Sequence, residues 1–261
     1  MQKAVELQHQ GLTLRGMLHV PEDGQGPWPA VIIYHGFTAD KLGPHQMFVK
    51  LSRVLANIGV AVVRFDFSGS GESDGLFQDI TVTREVAEAN AMLDFAAGLA
   101  EVDAARITLV GHSVGGLVAS IVAASRPADV RRLVLIAPAG NLREFVFTMA
   151  RQVGVGGPGG IDPQADVFDL EGNLVGRSFA LDLLTLDAYE RAKSYTGDVL
   201  LVHGTDDATV PLAVSESYQE KVYGGRAQTR FIEGANHTFS KHVWEQALID
   251  TICDFVRPSD A

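Results

Sequence analysis

The residue of this chain best placed to act as a nucleophile is a serine between two glycines. Ser113 stands in the run Gly111-His112-Ser113-Val114-Gly115, a GxSxG pattern. It follows the apolar run 107–110 and precedes a helix-like stretch. Glycines two residues either side of a serine let a strand turn sharply into a helix and leave the hydroxyl exposed. The pattern therefore predicts a strained, exposed nucleophile that attacks carbonyl carbons.

A serine hydroxyl is a poor nucleophile near neutral pH unless a neighbouring base takes its proton. The chain has eight histidines, and His237 lies in the run Glu233-Gly234-Ala235-Asn236-His237 after the last predicted strand. This position fits the chain order of serine, acid and histidine, so we predict that His237 is the base, with a surface loop histidine as the alternative. We expect His112 to point away from the site. The histidines ahead of the nucleophile are expected to be surface or structural: His9, His19 and His45.

An acid must orient the imidazole and stabilise its charged form. Asp206 and Asp207 both follow the predicted strand 199–202. The run 203–211 matches a GxxDxxVP pattern only if Asp207 is the acid. We therefore predict Asp207, while Asp206 is expected to cap the turn or the next helix, an ordinary use of aspartate in loops.

Acyl transfer also needs N–H donors aimed at the developing oxyanion. The backbone N–H of Val114 follows the nucleophile at a helix start, and the run His35-Gly36-Phe37 after strand 30–34 supplies the N–H of Phe37. The alternative for His35-Gly36-Phe37 is an ordinary turn at a strand end. A further turn at 66–75 reads GxGxS and not GxGxxG, so we expect a structural or site-rim role there, not dinucleotide binding.

The elements that must position these residues alternate along the chain. A hairpin over 6–20 is followed by apolar runs predicted as strands at 30–34, 60–67, 107–110, 133–136, 199–202 and 229–232. Helical spacing of apolar residues separates them at 48–58, 82–95, after Ser113, 214–222 and 241–256. Strands this apolar are buried on both faces and joined by right-handed crossovers. The pattern predicts an α/β fold with a doubly wound, mostly parallel sheet and an N-terminal antiparallel hairpin.

The alternation stops between the strands at 133–136 and 199–202. The run 153–160 is too rich in glycine for a packed helix or strand, and 166–176 has two alternating runs around a Glu-Gly-Asn turn, which predicts a small hairpin. We predict a core of residues 1–139 and 187–261, with 140–186 as an inserted cap. A disordered linker is the alternative, but the segment carries several phenylalanines.

Composition excludes several classes of function. The 261 residues are 46% apolar and 20% charged, with a formal charge of −11 and one cysteine. The acidity and the lack of a Lys/Arg run argue against nucleic acid or a membrane surface as partner, and no apolar run is long enough to span a bilayer. Cys253 is expected to be a buried core thiol. With no visible signal segment, we expect a cytoplasmic location; the sequence leaves open whether the chain forms a homodimer.

Taken together, the motifs resemble those of the α/β-hydrolases, and most closely the bacterial cinnamoyl and feruloyl esterases. The resemblance covers nearly the whole chain and rests on the runs at 35–37, 64–75, 111–116, 137–139, 203–207 and 233–237. It implies an α/β-hydrolase fold and a serine carboxylesterase that uses Ser113, Asp207 and His237. It also implies a small cap after the sixth main strand that forms the acyl pocket.

We therefore expect hydrolysis of small to medium acyl or aryl esters, with hydroxycinnamoyl esters as one candidate class, through an acyl-enzyme and without metal or organic cofactor. The same triad would serve a peptidase or thioesterase, and a non-catalytic binding protein is a further alternative. We expect an apolar pocket lining or, equally, core packing of the cap from Phe145, Phe147, Phe168, Phe179 and Leu183.

Overall fold

The computed structural model describes residues 1–153 and 165–257. Eight strands form the main sheet, in the order β1-β2-β4-β3-β5-β6-β9-β10, and two further strands form a separate hairpin. The strands are β1 (Gln2–His9), β2 (Leu12–His19), β3 (Trp28–Tyr34), β4 (Ala61–Phe65), β5 (Val102–His112), β6 (Arg132–Ile136), β7 (Val167–Leu170), β8 (Asn173–Gly176), β9 (Asp198–Gly204) and β10 (Gln228–Ile232).

The sheet has the predicted mixture of directions. β1 and β2 pair antiparallel, β2 pairs antiparallel with β4, and every pair from β4 to β10 is parallel. Each strand expected from an apolar run is present, so the prediction of a mostly parallel sheet with an N-terminal hairpin is confirmed. Because parallel strands end at one edge, the loops that follow β3, β5, β9 and β10 meet there.

Helices cover both faces of the sheet, which explains the continuous apolar runs. Ile32 and Tyr34 of β3 pack into the core on one face, whereas Val31 and Ile33 pack into the core on the other. The helices are α1 (Met47–Asn57), α2 (Val82–Ala97), α3 (Val114–Ser125), α4 (Leu142–Val153), α5 (Arg177–Thr185), α6 (Ala188–Ala192), α7 (Leu212–Ser217) and α8 (His242–Val256). Cys253 of α8 is buried, as expected.

Among the described residues between β6 and α6, there are two helices and a hairpin. The hairpin β7–β8 confirms the prediction made for 166–176, whereas α4 and α5 were not predicted. The glycine run 153–160 lies outside the described residues beyond Val153. We call the segment 140–186 the inserted segment; its status as a separate cap stays a prediction.

The inserted segment is fixed to the main body through α5. Phe179 and Leu183 are buried in the core shared with α2 and α3. The backbone N–H and the hydroxyl of Thr83, at the start of α2, donate to the two carboxylate oxygens of Asp182 at 3.0 and 2.5 Å. Within the described residues, no helix combines the length and apolar character needed to cross a membrane.

Candidate active site

Ser113 occupies a sharp turn between the end of β5 and the start of α3. Its φ of 56° and ψ of −120° lie in a region that a non-glycine residue rarely adopts. A Cβ at Gly115 would overlap the carbonyl oxygens of Tyr34 and His35, and one at Gly111 would overlap the backbone of Gly115. The two glycines are therefore required by the close approach of strand and helix, as the sequence pattern indicates.

Asp207 and His237 lie together although 30 residues separate them in the sequence. His237 Nδ1 donates to Asp207 Oδ2 at 2.7 Å, and the backbone N–H groups of Thr209 and Val210 donate to Oδ1, each at 2.8 Å. Asp206 is exposed on the neighbouring turn. The hydrogen bond at Nδ1 leaves Nε2 of His237 as the nitrogen that can accept a proton.

The carboxyl group of Asp207 is held in its ionised form. Burial of the carboxylate raises its pKa, but the hydrogen bonds from His203 and His237, with the charge of His237 and the N–H of Val210, outweigh burial and hold the pKa well below its usual range. The side chain of Asp207 has no exposed surface, while that of His237 is 14% exposed. A buried anion behind a partly exposed imidazole is suited to stabilise an imidazolium.

His112 lies against His237, and the expectation that its side chain points elsewhere is wrong. The two rings are 4.8 Å apart between centroids, and His112 Nε2 donates to the carbonyl oxygen of His237 at 3.0 Å. Burial, followed by the charge of His237, lowers the pKa of His112 to about 3. His112 is therefore neutral, and it packs against the loop that carries His237.

Two other histidines brace the same edge. His35 Nε2 accepts from the N–H of Phe67 at 3.0 Å, so Nδ1 carries the proton and donates to Gly36 at 2.9 Å. His45 Nε2 lies 2.8 Å from the carbonyl oxygen of Thr238. His45 thus has the structural role that the sequence suggested.

The loop after β3 passes close to Ser113. A Cβ at Gly36 would lie 3.1 Å from Ser113 Cβ, which is tighter than ordinary van der Waals contact, so this approach favours glycine. Phe37 and Val114 both line the cavity that holds Ser113. Among the described residues, neither backbone N–H has a recorded hydrogen-bond partner. Val114 is the first residue of α3, where the N–H groups of a helix have no intrahelical partner.

A buried ion pair fixes the loop after β3 to the 66–75 turn. Lys41 Nζ lies 2.5 Å from Asp66 Oδ2, and the backbone N–H groups of Lys41 and Glu72 donate to the same carboxylate at 2.6 and 2.9 Å. A Cβ at Gly71 would overlap the carboxylate of Asp66. The 66–75 turn is therefore occupied by internal contacts, which matches the structural role expected for it.

A cavity of about 500 Å³ connects these groups, within the ordinary size range of ligand sites. Its wall contains Ser113, His237 and His112, and mainly small and apolar residues complete it: Gly36, Phe37, Thr38, Ala39, Asp40, Gly43, Pro44, Val114, Ala139, Asn141, Leu142, Phe145, Thr209, Val210 and Thr238.

Of the five aromatic and leucine positions expected at the pocket, Phe145 lies on this wall. Phe179 and Leu183 are buried in the core instead, at 3% and 0% exposure, because α5 packs on α2. Phe147 and Phe168 are half-buried and do not line the cavity. Among the described residues, the inserted segment contributes the start of α4, and not the hairpin, to the cavity wall.

Comparison with known proteins identifies the family. The model of the family described as serine aminopeptidase, S33 (Hydrolase_4), matches residues 25–157. The chain belongs to this family. It is thus an α/β-hydrolase, and the expected fold is confirmed.

The solved structure of Est1E from Butyrivibrio proteoclasticus with ferulic acid bound is similar over 96% of this chain and 97% of that chain. The identity is 28% and the TM-score is 0.83. An uncharacterized protein of Mycobacterium tuberculosis, Rv2307c, is 31% identical over 252 residues, which cover 94% of this α/β-hydrolase and 75% of the relative. Palmitoyl-protein thioesterase ABHD10 of Rattus norvegicus is 25% identical over 238 residues, covering 89% and 76%. The resemblance to serine esterases is confirmed.

Proposed function

We propose that this α/β-hydrolase is a carboxylic-ester hydrolase that uses Ser113, His237 and Asp207. The observation that carries the proposal is the 2.7 Å hydrogen bond from His237 to Asp207, beside a cavity whose wall also contains Ser113. An oriented imidazole next to a serine on a strained turn is the arrangement that acyl transfer requires.

The reaction has two steps. His237 Nε2 takes the hydroxyl proton of Ser113 as Oγ attacks the ester carbonyl, and the resulting oxyanion accepts from the N–H groups of Phe37 and Val114. The C–O bond then breaks, the alcohol leaves with the proton from His237, and the acyl group stays on Ser113. Water repeats the cycle and releases the acid. Losing one such donor costs about 3 to 4 kcal/mol of transition-state stabilisation in other enzymes.

The cavity wall favours an uncharged acyl or aryl group. Phe37, Leu142 and Phe145 provide apolar surface near Ser113. Among the described residues of the wall, Asp40 is the one carboxylate, and no lysine or arginine is present. An anionic acyl group would therefore lie in apolar surroundings without a cation, which is unfavourable. We infer small to medium esters, and the ferulic acid bound to Est1E makes hydroxycinnamoyl esters a reasonable member of the test set.

Thioesters and peptides are the alternatives, because the triad fixes acyl transfer but not the leaving group. The similarity to a palmitoyl-protein thioesterase favours the first, and the family description favours the second. An aminopeptidase must also hold an α-ammonium group, for which Asp40 is the candidate partner.

The test is a substrate panel with purified protein: short p-nitrophenyl esters, methyl ferulate, an acyl-CoA and an aminoacyl amide. Wild type is compared with Ser113→Ala and with Ser120→Ala, a buried serine of α3 whose hydroxyl donates to Leu117. We expect ester turnover in wild type and Ser120→Ala and its loss in Ser113→Ala. Turnover that survives in Ser113→Ala contradicts the mechanism. Faster cleavage of the acyl-CoA or the amide than of every ester contradicts the esterase assignment and leaves the triad intact.

A further inference from the structure

We propose that His203 is a positioning residue that holds the carboxylate of Asp207 toward His237, with Ser215 holding the His203 ring in place. The inference rests on the proposed function of Ser113, Asp207 and His237. It assigns a role to a buried histidine that the sequence patterns did not single out.

His203 lies near the end of β9, four residues before Asp207, and is fully buried. Its Nε2 is 2.9 Å from the carbonyl oxygen of Val210 and 3.1 Å from Asp207 Oδ2. Its Nδ1 is 2.7 Å from Ser215 Oγ, and Ser215 is also fully buried. Each ring nitrogen therefore has a partner within hydrogen-bond distance.

The neighbours of Nε2 require a proton on that nitrogen. Both neighbours of Nε2 are oxygens that only accept, since the carboxylate of Asp207 is ionised. Nε2 must therefore carry a proton, which it donates to the carbonyl oxygen of Val210, while Asp207 Oδ2 lies 3.1 Å from the same nitrogen. Nδ1 is hydrogen-bonded to the hydroxyl of Ser215, which can donate or accept.

The consequence for Asp207 is a carboxylate held on both oxygens. Oδ1 accepts from the N–H groups of Thr209 and Val210, while Oδ2 lies within reach of two imidazoles, 2.7 Å from His237 Nδ1 and 3.1 Å from His203 Nε2. Rotation of the carboxylate would break several of these contacts at once. His203 thus places an N–H beside the carboxylate oxygen that accepts from His237.

The titratable groups around His237 are few within the described residues. Asp207 faces its Nδ1, His203 reaches the same carboxylate from β9, and His112 of β5 lies against the ring at 4.8 Å and is neutral. Without the N–H of His203, the negative charge on Oδ2 is less stabilised by other donors. It therefore attracts the proton on His237 more strongly and favours the protonated form of His237. The acid limb of the kcat/KM profile reports this protonation.

The experiment measures kcat, KM and the pH profile of p-nitrophenyl ester hydrolysis for four variants. His203→Leu removes the donor, and His203→Gln keeps an N–H near the position of Nε2. Ser215→Ala removes the hydrogen-bond partner of Nδ1. Ser120→Ala is the matched control, because Ser120 is equally buried but its hydroxyl bonds to Leu117 and Tyr218 instead.

We expect His203→Leu to lower kcat by about 10- to 100-fold with KM little changed, as the loss of a partner that orients a functional group typically does. The acid limb of its kcat/KM profile should move to higher pH by about 0.5 to 1 pH unit. His203→Gln should recover most of kcat and the wild-type profile, Ser215→Ala should lie between wild type and His203→Leu, and Ser120→Ala should match wild type. An unmoved or lowered acid limb in His203→Leu overturns the inference, as does an equal loss of kcat in His203→Gln.

A second readout does not depend on activity or on the folding of His203→Leu. In proton NMR, the hydrogen on His237 Nδ1 should give a far-downfield resonance that moves in Ser215→Ala and stays in place in Ser120→Ala. A resonance that does not move in Ser215→Ala overturns the inference. Because Ser113→Ala tests the esterase mechanism separately, failure of the positioning role of His203 and failure of the proposed function give different results.

Discussion

The ring of Phe179, on α5 of the inserted segment, lies against the ring of Phe37 with 4.9 Å between centroids. Phe77 contacts Phe37 from another side at 5.2 Å. Phe37 supplies one of the two N–H groups proposed for the oxyanion, so the inserted segment contacts the loop proposed to bind the oxyanion. Burial of Phe179 thus has a second consequence besides packing, since it restricts the position of that loop.

We expect Phe179→Leu to lower kcat by about 3- to 10-fold, because an aromatic pair contributes about 0.5 to 1.5 kcal/mol beyond its buried area and part of that holds the Phe37 loop in place. Steady-state kinetics on a short p-nitrophenyl ester measures the effect, beside a thermal melt. The matched control is Leu181→Ala on the same helix, where the side chain is 55% exposed. A lower melting temperature with unchanged kcat would show that the aromatic contact serves packing alone.

Asp207→Asn should lower kcat by about 10⁴-fold, since an amide cannot stabilise the imidazolium and favours the wrong tautomer of the base. Asp206→Asn is the natural control, because Asp206 is adjacent, exposed and outside the hydrogen bond to His237. Kinetics of both variants on the same ester decides between the two aspartates. If Asp206→Asn were the inactive variant, the choice of acid made from the GxxDxxVP pattern would be wrong.

How far the sequence could predict the site depends on the type of signal. Ser113 and the strand before it were predictable because glycine spacing and apolar runs are local. The contact of His112 with His237 was not, since it joins a strand to a loop 125 residues later. The role proposed for His203 could not be predicted for a different reason: its partners are near in the sequence, but the burial of His203 and Ser215 becomes visible only in the folded chain.

The inserted segment shows a different limit of sequence reasoning. Its phenylalanines indicated apolar burial but not which surface each one covers. Phe179 packs on the main body, whereas Phe145 lies on the cavity wall. The helical spacing at the start of α4 is present in the sequence. It is followed by a glycine run, which is typical of a loop and does not indicate a helix.

Lys41→Met should destabilise the fold by about 3 kcal/mol, because it leaves the fully buried carboxylate of Asp66 without its cation. Two backbone N–H groups remain on Asp66, which places the effect at the lower end of the usual range for breaking a buried pair. Urea unfolding measures the free energy. Lys193→Met is the control, because both Lys193 and its partner Glu190 are exposed and exposed pairs contribute little to stability.

The double variant Lys41→Met with Asp66→Asn tests the cause. Removing the charge of Asp66 should recover part of the lost stability, since the penalty arises from an unpaired buried anion. Additive losses in the double variant would instead mean that each side chain acts through packing.

Glu85 gives the fold a pH dependence with a definite sign. The side chain is 4% exposed, and its Oε2 has no hydrogen-bond partner among the described residues. Burial, and then the charges of Glu88 and Asp182, raise its pKa from 4.5 to about 8. The folded protein therefore binds a proton that the unfolded chain has released between these values. The stability that Glu85 contributes is present in full below about pH 4.5 and is lost as the pH rises toward 8.

Glu85→Gln removes this titration and keeps the shape of the side chain. The free energy of unfolding of the variant relative to wild type should rise across the pH 4.5 to 8 window, by at most about 1.4 kcal/mol per pH unit. Urea unfolding at pH 5, 6.5 and 8 measures the difference. Glu190→Gln, at an exposed carboxylate, should show little such trend. A constant difference between wild type and Glu85→Gln at all three pH values would mean that Glu85 does not change its protonation state on folding.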